Sequence, residues 1–389
     1  MRVSEILVDD GAGIRLFNDL HRVSPDVLPA CIIVKFPIFD PVVIKVPQKL
    51  HFMQKTFSLL AALVILASGL RAQQRQISFT RYTLPNGLKV ILHRDTSVPV
   101  VAVTVLYHVG SKNEKPGQSG FAHFFEHLMF EGSEYIPREK YFKYVTNAGG
   151  QLNANTTQDR TFYYENLPSN QLKLGLWLES ERMMHAKIET VGVNTQREVV
   201  KEEKRMRVDN KPYGSIMAEV CKRLFQGTPY AWVPIGSMED LNKARLQDFL
   251  DFYHTYYVPN NAVLSIAGDI DLDSTRRLVE AYFGPIPRSA APVPRPEIHL
   301  EPLGSMAGRV DTVYDHIQLP AVIEAYRSPV QGSSDYYPFQ VLSQLLSGGA
   351  SSRMETSLVD RQQLAVDAGS FPVSMEGVGA DVERGLAQM

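Results

Sequence analysis

Cysteine is scarce in this chain of 389 residues, which contains only Cys31 and Cys221. A count of two excludes both a disulfide framework and a cysteine-ligated zinc site. An excess of charge of either sign is also absent, because 40 basic side chains face 42 acidic ones and the net charge is −2. The sequence shows no basic stripe that would bind a polyanion, and we therefore predict no nucleic-acid partner.

Long hydrophobic runs are missing as well. The one marked apolar run, of about a dozen residues, follows Met53 and Lys55 and ends in small residues, an order typical of a secretory signal peptide. The run is too short for a comfortable membrane span. We predict a signal peptide at 53–72, export to the periplasm or beyond the cell, and no stable membrane span after cleavage. Residues 1–52 would then be a non-native upstream extension before a true start at Met53. The alternative is that 53–72 is an internal core segment.

Patterns of apolar residues and turn formers predict an α+β fold in two parts. A proline-rich linker at 284–305 separates residues 73–283 from residues 306–389, and the second part is incomplete. Strands are predicted at 79–84, 88–94, 100–109, 151–155, 161–167, 261–268, 309–315, 321–326 and 365–374. Helices are predicted at 120–130, 134–147, 171–185, 194–208, 217–225, 237–253, 274–283, 336–346 and 354–363. Residues 380–389 resemble the start of an unfinished element.

Three polar residues, His123, Glu126 and His127, interrupt the apolar and aromatic run at 120–130. On a helix, His123 and His127 are one turn apart and share a face, with Glu126 beside them. Imidazoles and a carboxylate on a buried face need a partner, because unpaired burial of such groups costs several kcal/mol. A metal ion satisfies all three. Neutral imidazole suits zinc, which takes three protein ligands in catalytic sites.

The third ligand is expected on the helix predicted at 194–208. Four residues share one apolar face of that helix, namely Val199, Val200, Glu203 and Met206. Glu203 is therefore the carboxylate that points inward and needs a cation. Glu202 falls on the polar face, and we interpret it as a solvated charge. The alternative for Glu203 is a buried salt bridge with an arginine.

These residues predict one zinc ion (Zn2+) per chain, bound by His123, His127 and Glu203. Zinc lowers the pKa of its bound water towards about 7. One helical turn places Glu126 next to that water, where it can act as general base and then protonate a leaving amine. The predicted reaction is hydrolysis of an amide bond. A binuclear or non-hydrolytic metal site is the alternative, although the sequence shows no second carboxylate cluster.

The order H-x-x-E-H at 123–127 is the inverzincin signature, and three further motifs accompany it. They are Gly149-Gly150-Gln151-Leu152-Asn153-Ala154-Asn155-Thr156, Pro259-Asn260-Asn261-Ala262 before Ala267-Gly268-Asp269, and Leu346-Ser347-Gly348-Gly349-Ala350-Ser351-Ser352-Arg353. With Glu203 placed 76 residues after His127, residues 77–378 resemble the M16 (pitrilysin, insulysin and mitochondrial processing peptidase) family of zinc metallopeptidases, in particular its short bacterial two-subunit branch. The resemblance implies two similar M16-type domains, each a mixed, largely antiparallel sheet covered by helices. Residues 73–283 would be the catalytic N-terminal domain and 306–389 part of the C-terminal domain.

The resemblance also implies roles for three other positions. Asn153 and Ala154 would lie on an edge strand that takes the substrate peptide by strand addition. Asn153 can alternatively be read as a turn residue after the glycine pair at 149–150. Relatives often carry a glutamate seven residues before the third ligand, where this chain has Gln196. A glutamine there can hydrogen-bond substrate or a ligand without binding the metal itself, but it supplies no negative charge.

Active members of the family need an arginine and a tyrosine from a later domain, and this chain has Val359 and Val366 at those positions. The resemblance therefore implies a homologous non-catalytic partner subunit that supplies the Arg/Tyr pair, with peptides or unfolded segments as substrate. We predict a zinc-dependent endopeptidase subunit with little or no activity by itself. The alternatives are a non-catalytic M16-like scaffold and a truncated inactive product. An intact set of four site residues argues against a scaffold, which has no need of them.

Overall fold

The computed structural model describes residues 31–36, 39–45, 77–302 and 310–388, which fall into two compact units divided after Gln76. In the first unit, β1 (Cys31–Phe36) and β2 (Phe39–Lys45) pair as an antiparallel hairpin. The signal peptide predicted at 53–72 lies outside the described residues. Within the described part of the chain, none of the helices has both the length and the apolar character needed to cross a membrane.

A mixed six-stranded sheet is the centre of the second unit. Its strands are β3 (Thr80–Thr83), β4 (Lys89–Arg94), β5 (Val100–Tyr107), β6 (Gln151–Thr156), β7 (Thr161–Pro168) and β8 (Ala262–Gly268). They are ordered β3-β4-β8-β5-β7-β6, with β4 and β8 parallel and the other neighbours antiparallel. The β-branched run of β5 buries every second residue, as expected of a central strand. β6 lies at an edge of the sheet.

Helices flank this sheet, and all but Ile216–Leu224 contribute residues to the larger hydrophobic core. They are α1 (Phe121–Leu128), α2 (Tyr141–Asn147), α3 (Leu172–His185), α4 (Thr190–Lys204), α5 (Ile216–Leu224), α6 (Met238–Lys243), α7 (Leu246–Tyr256) and α8 (Leu272–Phe283). A π-helical segment, Arg205–Asp209, continues α4. Apolar residues of α1, α3, α7 and α8 share the core with β4, β5, β7 and β8.

One charged cluster is buried inside this core. The Arg182 guanidinium lies 3.1 Å from a Glu179 oxygen and 3.8 Å from a Glu165 oxygen, and all three side chains are fully buried. The guanidinium also lies 4.3 Å from the centre of the Tyr163 ring. Burial raises the pKa of Glu165 well above its ordinary value, and the neighbouring Glu179 adds to the rise. The cluster links α3 to β7, and its single cation faces two carboxyl groups.

A smaller sheet forms the C-terminal part of the same unit. Its elements are β9 (Ala321–Arg327), α9 (Tyr336–Ser347), a π-helical segment (Glu355–Arg361), β10 (Ala365–Ser374) and β11 (Gly379–Ala387). The strands are antiparallel in the order β10-β11-β9, and α9 packs on β10. A second core joins Cys221 and Phe225, in and directly after α5, to Val382 of β11 and to Val378, which directly precedes that strand. The α+β class predicted from the sequence is confirmed.

Two predicted helices are wrong in extent. The helix predicted at 134–147 begins only at Tyr141, because Glu139 has a φ of 63° and Pro137 lies in the irregular segment before it. The helix predicted at 237–253 is two helices, α6 and α7. The Arg197 guanidinium donates hydrogen bonds to the carbonyls of Leu241 and Ala244, which ends α6 by satisfying its last acceptors.

The C-terminal part departs further from prediction. Residues 310–315 form no strand, and Val310 and Tyr314 are almost fully exposed. The helix predicted at 354–363 is π-helical over Glu355–Arg361. Residues 380–389 were expected to begin an unfinished element, whereas β11 is the central strand of the smaller sheet. The place of β11 depends on its pairing with both β10 and β9, which local sequence patterns do not contain.

Candidate metal centre

The start of α1 is held by a buried carboxyl group from the preceding loop. Glu114 accepts hydrogen bonds from the backbone N–H of Gly120 at 3.1 Å and of Ala122 at 2.8 Å, and from the Trp232 indole at 2.8 Å. These bonds satisfy N–H groups that have no partner within the helix. Gly120 has a φ of 92°, and a β-carbon there would lie 3.0 Å from the Ile235 carbonyl oxygen. A glycine is therefore required where α1 begins.

Aromatic residues fix the opposite face of α1. Phe121 stacks on Phe249 of α7 with ring centres 4.6 Å apart, and Phe124 meets the same ring edge-on. Phe125 lies 4.5 Å from the Tyr257 ring. Because this face is locked into the core, the orientation of the remaining face, with its two histidines, is determined.

Three predicted ligands converge at one point. Glu203 of α4 places its Oε2 atom 3.2 Å from His127 Nε2 and 3.5 Å from His123 Nε2. Potential ligand atoms of the three residues all lie within 4.8 Å of one another. Two imidazole nitrogens and a carboxylate oxygen gathered in this way form a donor set that suits zinc.

The apolar helix face to which the sequence assigned Glu203 is only partly buried in the structure. Val200 is buried, but Val199 and Met206 are 44% and 68% exposed, so the four residues do not share one buried face. Met206 lies in the π-helical segment, whose wider turn changes the direction of its side chains. The Glu203 side chain is nevertheless only 17% exposed, whereas Glu202 is exposed and pairs with Arg205, which agrees with its interpretation as a solvated charge.

The protonation states at this centre favour a cation. Burial, together with the neighbouring His127, lowers the pKa of His123 to about 4, so its imidazole is neutral near pH 7. The hydrogen bond from His127 lowers the pKa of Glu203, which keeps that carboxylate ionised. Zinc requires neutral histidine and ionised carboxylate ligands. The residues present therefore fit the metal that the sequence predicts.

Glu126 lies beside the three ligands and has a partner of its own. The Thr156 hydroxyl, at the end of the edge strand β6, donates a hydrogen bond of 2.5 Å to Glu126 Oε2. Burial raises the pKa of Glu126, and the bond from Thr156 opposes that rise. His127 and Glu203 are near enough for their charges to affect the same pKa. The carboxyl group is thus held next to the ligands without replacing one of them.

Sequence reasoning assigned no role to Thr156 or Glu114. Thr156 belongs to the Gly-rich motif at 149–156, but its contact with Glu126 depends on how β6 is placed against α1. Glu114 reaches α1 through the fold of the loop before it. The segment 110–120 carried no spacing signal for such a cap.

Gln196 contacts neither histidine ligand in the hydrogen bonds of the described chain. Its amide donates a hydrogen bond of 2.5 Å to Glu131, which also accepts one from Arg138. Glu131 is buried just beyond the end of α1. Gln196 therefore ties α4 to the segment that follows the histidine helix. A glutamate at this position would instead bring a second carboxylate against Glu131.

The predicted substrate positions lie on β6. Asn153 is exposed and Ala154 is half-buried, and they pair with Tyr164 and Tyr163 of β7. The other edge of β6 pairs with none of the described strands, so β6 is an edge strand, as the family resemblance implies. Among the positions expected to carry the Arg/Tyr pair, Val359 lies in a π-helical segment and Val366 is on β10, 49% exposed.

Comparison with known families matches both parts of the chain. The Insulinase (Peptidase family M16) profile matches residues 89–237. The Peptidase M16 inactive domain profile matches residues 243–383. The six-stranded sheet with its histidine helix therefore corresponds largely to the first profile and the smaller sheet to the second.

Individual relatives agree with these profiles. The zinc protease PqqE of Helicobacter pylori is 32% identical over 330 residues, which are 84% of this chain and 74% of that protein. The mitochondrial-processing peptidase subunit beta of Lentinula edodes is 26% identical over 76% of this chain and 66% of its own length. Among solved structures, a protease from Helicobacter pylori superposes with a TM-score of 0.76 at 30% identity, over 80% of this chain and 75% of that one.

Proposed function

Because this chain belongs to the M16 peptidase family, we propose that it is a zinc-dependent metalloendopeptidase subunit. In this proposal His123, His127 and Glu203 bind one zinc ion and Glu126 is the general base. The observation that carries it is the convergence of the three ligand atoms within 4.8 Å on two separate helices. The name of the relative from Helicobacter pylori, a zinc protease, supports the choice of metal.

The chemistry follows from the positions of these side chains. When bound, zinc supplies Lewis acidity that polarises a peptide carbonyl and makes water a stronger acid. Glu126 accepts the proton of the water that attacks the carbonyl carbon, and delivers it to the amine nitrogen as the C–N bond breaks. Thr156 orients Glu126 for both transfers through its hydrogen bond.

The substrate would bind as an added strand along β6. An edge strand offers unpaired backbone N–H and C=O groups, so an extended peptide can be held irrespective of most of its side chains. Thr156 at the end of β6 places the general base where such a peptide would pass. This arrangement favours peptides or unfolded segments over folded proteins. Asn153 and Ala154 are the positions that would pair with the substrate backbone.

Turnover would require a second, homologous subunit that supplies an arginine and a tyrosine. This chain has Val359 and Val366 where the family resemblance places those residues, and one relative is itself named as a subunit. We expect the purified chain to cleave an unstructured fluorogenic peptide little or not at all. Adding an M16-type subunit from the same genome that carries the pair should restore cleavage. Full activity of the single chain would contradict the partner proposal.

Glu126→Gln tests the role of the general base. In the two-subunit preparation, this variant should abolish peptide cleavage while retaining zinc. Unchanged turnover would show that another group moves the proton. From the signal peptide predicted at 53–72 we also propose that the mature enzyme lies outside the cytoplasm, and N-terminal sequencing of the natural protein tests this proposal. A mature chain that retains residues 1–52 would contradict it.

A further inference from the structure

The two oxygens of the Glu203 carboxylate have different neighbours. Oε2 faces the Nε2 atoms of both histidines, at 3.2 and 3.5 Å. Oε1 lies 2.9 Å from Nη1 of Arg207, four residues further along the chain. One oxygen is therefore directed to the candidate metal position, and the other is occupied by a guanidinium.

The backbone after α4 is unusual at this point. Arg207 lies in the π-helical segment Arg205–Asp209, in which the Asn210 N–H bonds the Arg205 carbonyl at 2.8 Å. Single π turns inside helices occur frequently at functional sites. This segment directly follows the turn that carries Glu203, and from it the Arg207 side chain reaches back four residues to that carboxylate.

Neighbouring cations have other partners. Lys201 pairs with Glu198, Lys204 with Asp209 and Arg205 with Glu202. Among the basic side chains at 201–207, all within the described residues, Arg207 alone pairs with a candidate metal ligand. The ion pair between Arg207 and Glu203 therefore differs from the other ion pairs in this stretch, whose acidic partners are not candidate ligands.

We infer that Arg207 is a positioning residue that makes Glu203 bind the metal through one oxygen. The inference rests on the proposed zinc site. The ion pair holds the positive charge of the guanidinium against Oε1, which disfavours turning that oxygen towards a metal cation and leaves Oε2 directed at the histidines. Groups that orient a metal ligand in this way typically change metal affinity by roughly 10–100-fold when they are removed.

A purely electrostatic role for Arg207 predicts the opposite change in zinc affinity. If Arg207 were only a nearby cation that pairs with Glu203 while the metal is absent, it would repel and compete with zinc. Its removal would then strengthen zinc binding. The direction of the change in affinity therefore separates a positioning role from a competing one.

The test is a zinc titration against a chromogenic chelator, with the full chain as wild type, Arg207→Met and Arg207→Lys. The matched control is Arg205→Met, which removes an arginine from the same segment whose partner is not a ligand. We expect Arg207→Met to raise the zinc Kd by roughly 10–100-fold. Arg207→Lys should recover part of the loss, and Arg205→Met should stay within about twofold of wild type.

Folding is not expected to obscure the result, because the Arg207 side chain is 76% exposed. Equal urea midpoints for the two methionine variants would verify this. An unchanged or lower Kd in Arg207→Met would overturn the inference while leaving the proposed zinc site intact. A wild-type chain that binds no zinc would instead overturn the proposed function, and this inference with it.

Discussion

Glu114 gives the sharpest prediction about stability, because burial raises the pKa of its carboxyl to about 8 from an ordinary value of 4.5. A carboxyl whose pKa is raised by folding holds its proton more tightly in the folded state. Its contribution to stability is therefore complete below pH 4.5 and is lost as the pH rises towards 8. Each pH unit within that window costs at most about 1.4 kcal/mol. Glu114→Gln does not titrate, so it removes this dependence.

We expect the difference in the free energy of unfolding between wild type and Glu114→Gln to change with pH. Relative to Glu114→Gln, wild-type stability should fall by up to about 4 kcal/mol between pH 5 and pH 8. A constant offset of about 1–3 kcal/mol should accompany it, because a glutamine amide cannot accept all of the hydrogen bonds made to this carboxyl. The assay is urea unfolding at several pH values, with a chelator present so that no metal contributes.

The control for this experiment is Glu297→Gln. The Glu297 side chain is 87% exposed, so this variant should follow wild type at every pH. If the difference between wild type and Glu114→Gln is the same at pH 5 and pH 8, the carboxyl is ionised in the folded protein. The reasoning about its burial would then be refuted.

Two further predictions concern the general base and the buried core. Thr156→Val removes a hydrogen bond to a carboxylate worth about 1.5–3 kcal/mol, so kcat of the two-subunit preparation should fall about 10- to 100-fold with little change in KM or zinc content. Thr156→Ser should retain most activity, as should the control Thr104→Val on β5, and equal kcat in Thr156→Val would contradict the assignment. Arg182→Met should lower the free energy of unfolding by about 3–5 kcal/mol in urea titrations, because two buried carboxyl groups lose their cation. A loss below about 1 kcal/mol would contradict this account of the core.

The ligand set could be predicted because its information is local. His123 and His127 lie one turn apart on a single short helix, so helical periodicity places them together whatever the tertiary structure. Glu203 was identified by its position on a second helix, although two of the neighbours used in that argument, Val199 and Met206, are exposed. The choice between Glu203 and Glu202 thus depended on where the helix faces, which the apolar pattern described only in part.

The supporting residues could not be predicted, because their contacts depend on tertiary structure. Thr156 meets Glu126 only because β6 lies beside α1, and Glu114 reaches the start of α1 through an irregular loop. The break between α6 and α7 depends on Arg197, which belongs to another helix. Local helix propensity does not depend on such distant partners, so the sequence predicted one long helix where the structure has two.

The zinc content of the purified chain tests the central claim most directly. After dialysis, wild type should retain near-stoichiometric zinc by elemental analysis, and Glu203→Gln should lose it. Glu202→Gln is the matched control, because it changes the adjacent carboxylate, which is exposed and paired with Arg205. That variant should keep its zinc. A wild-type chain without zinc, or equal zinc in Glu203→Gln and wild type, would contradict the account.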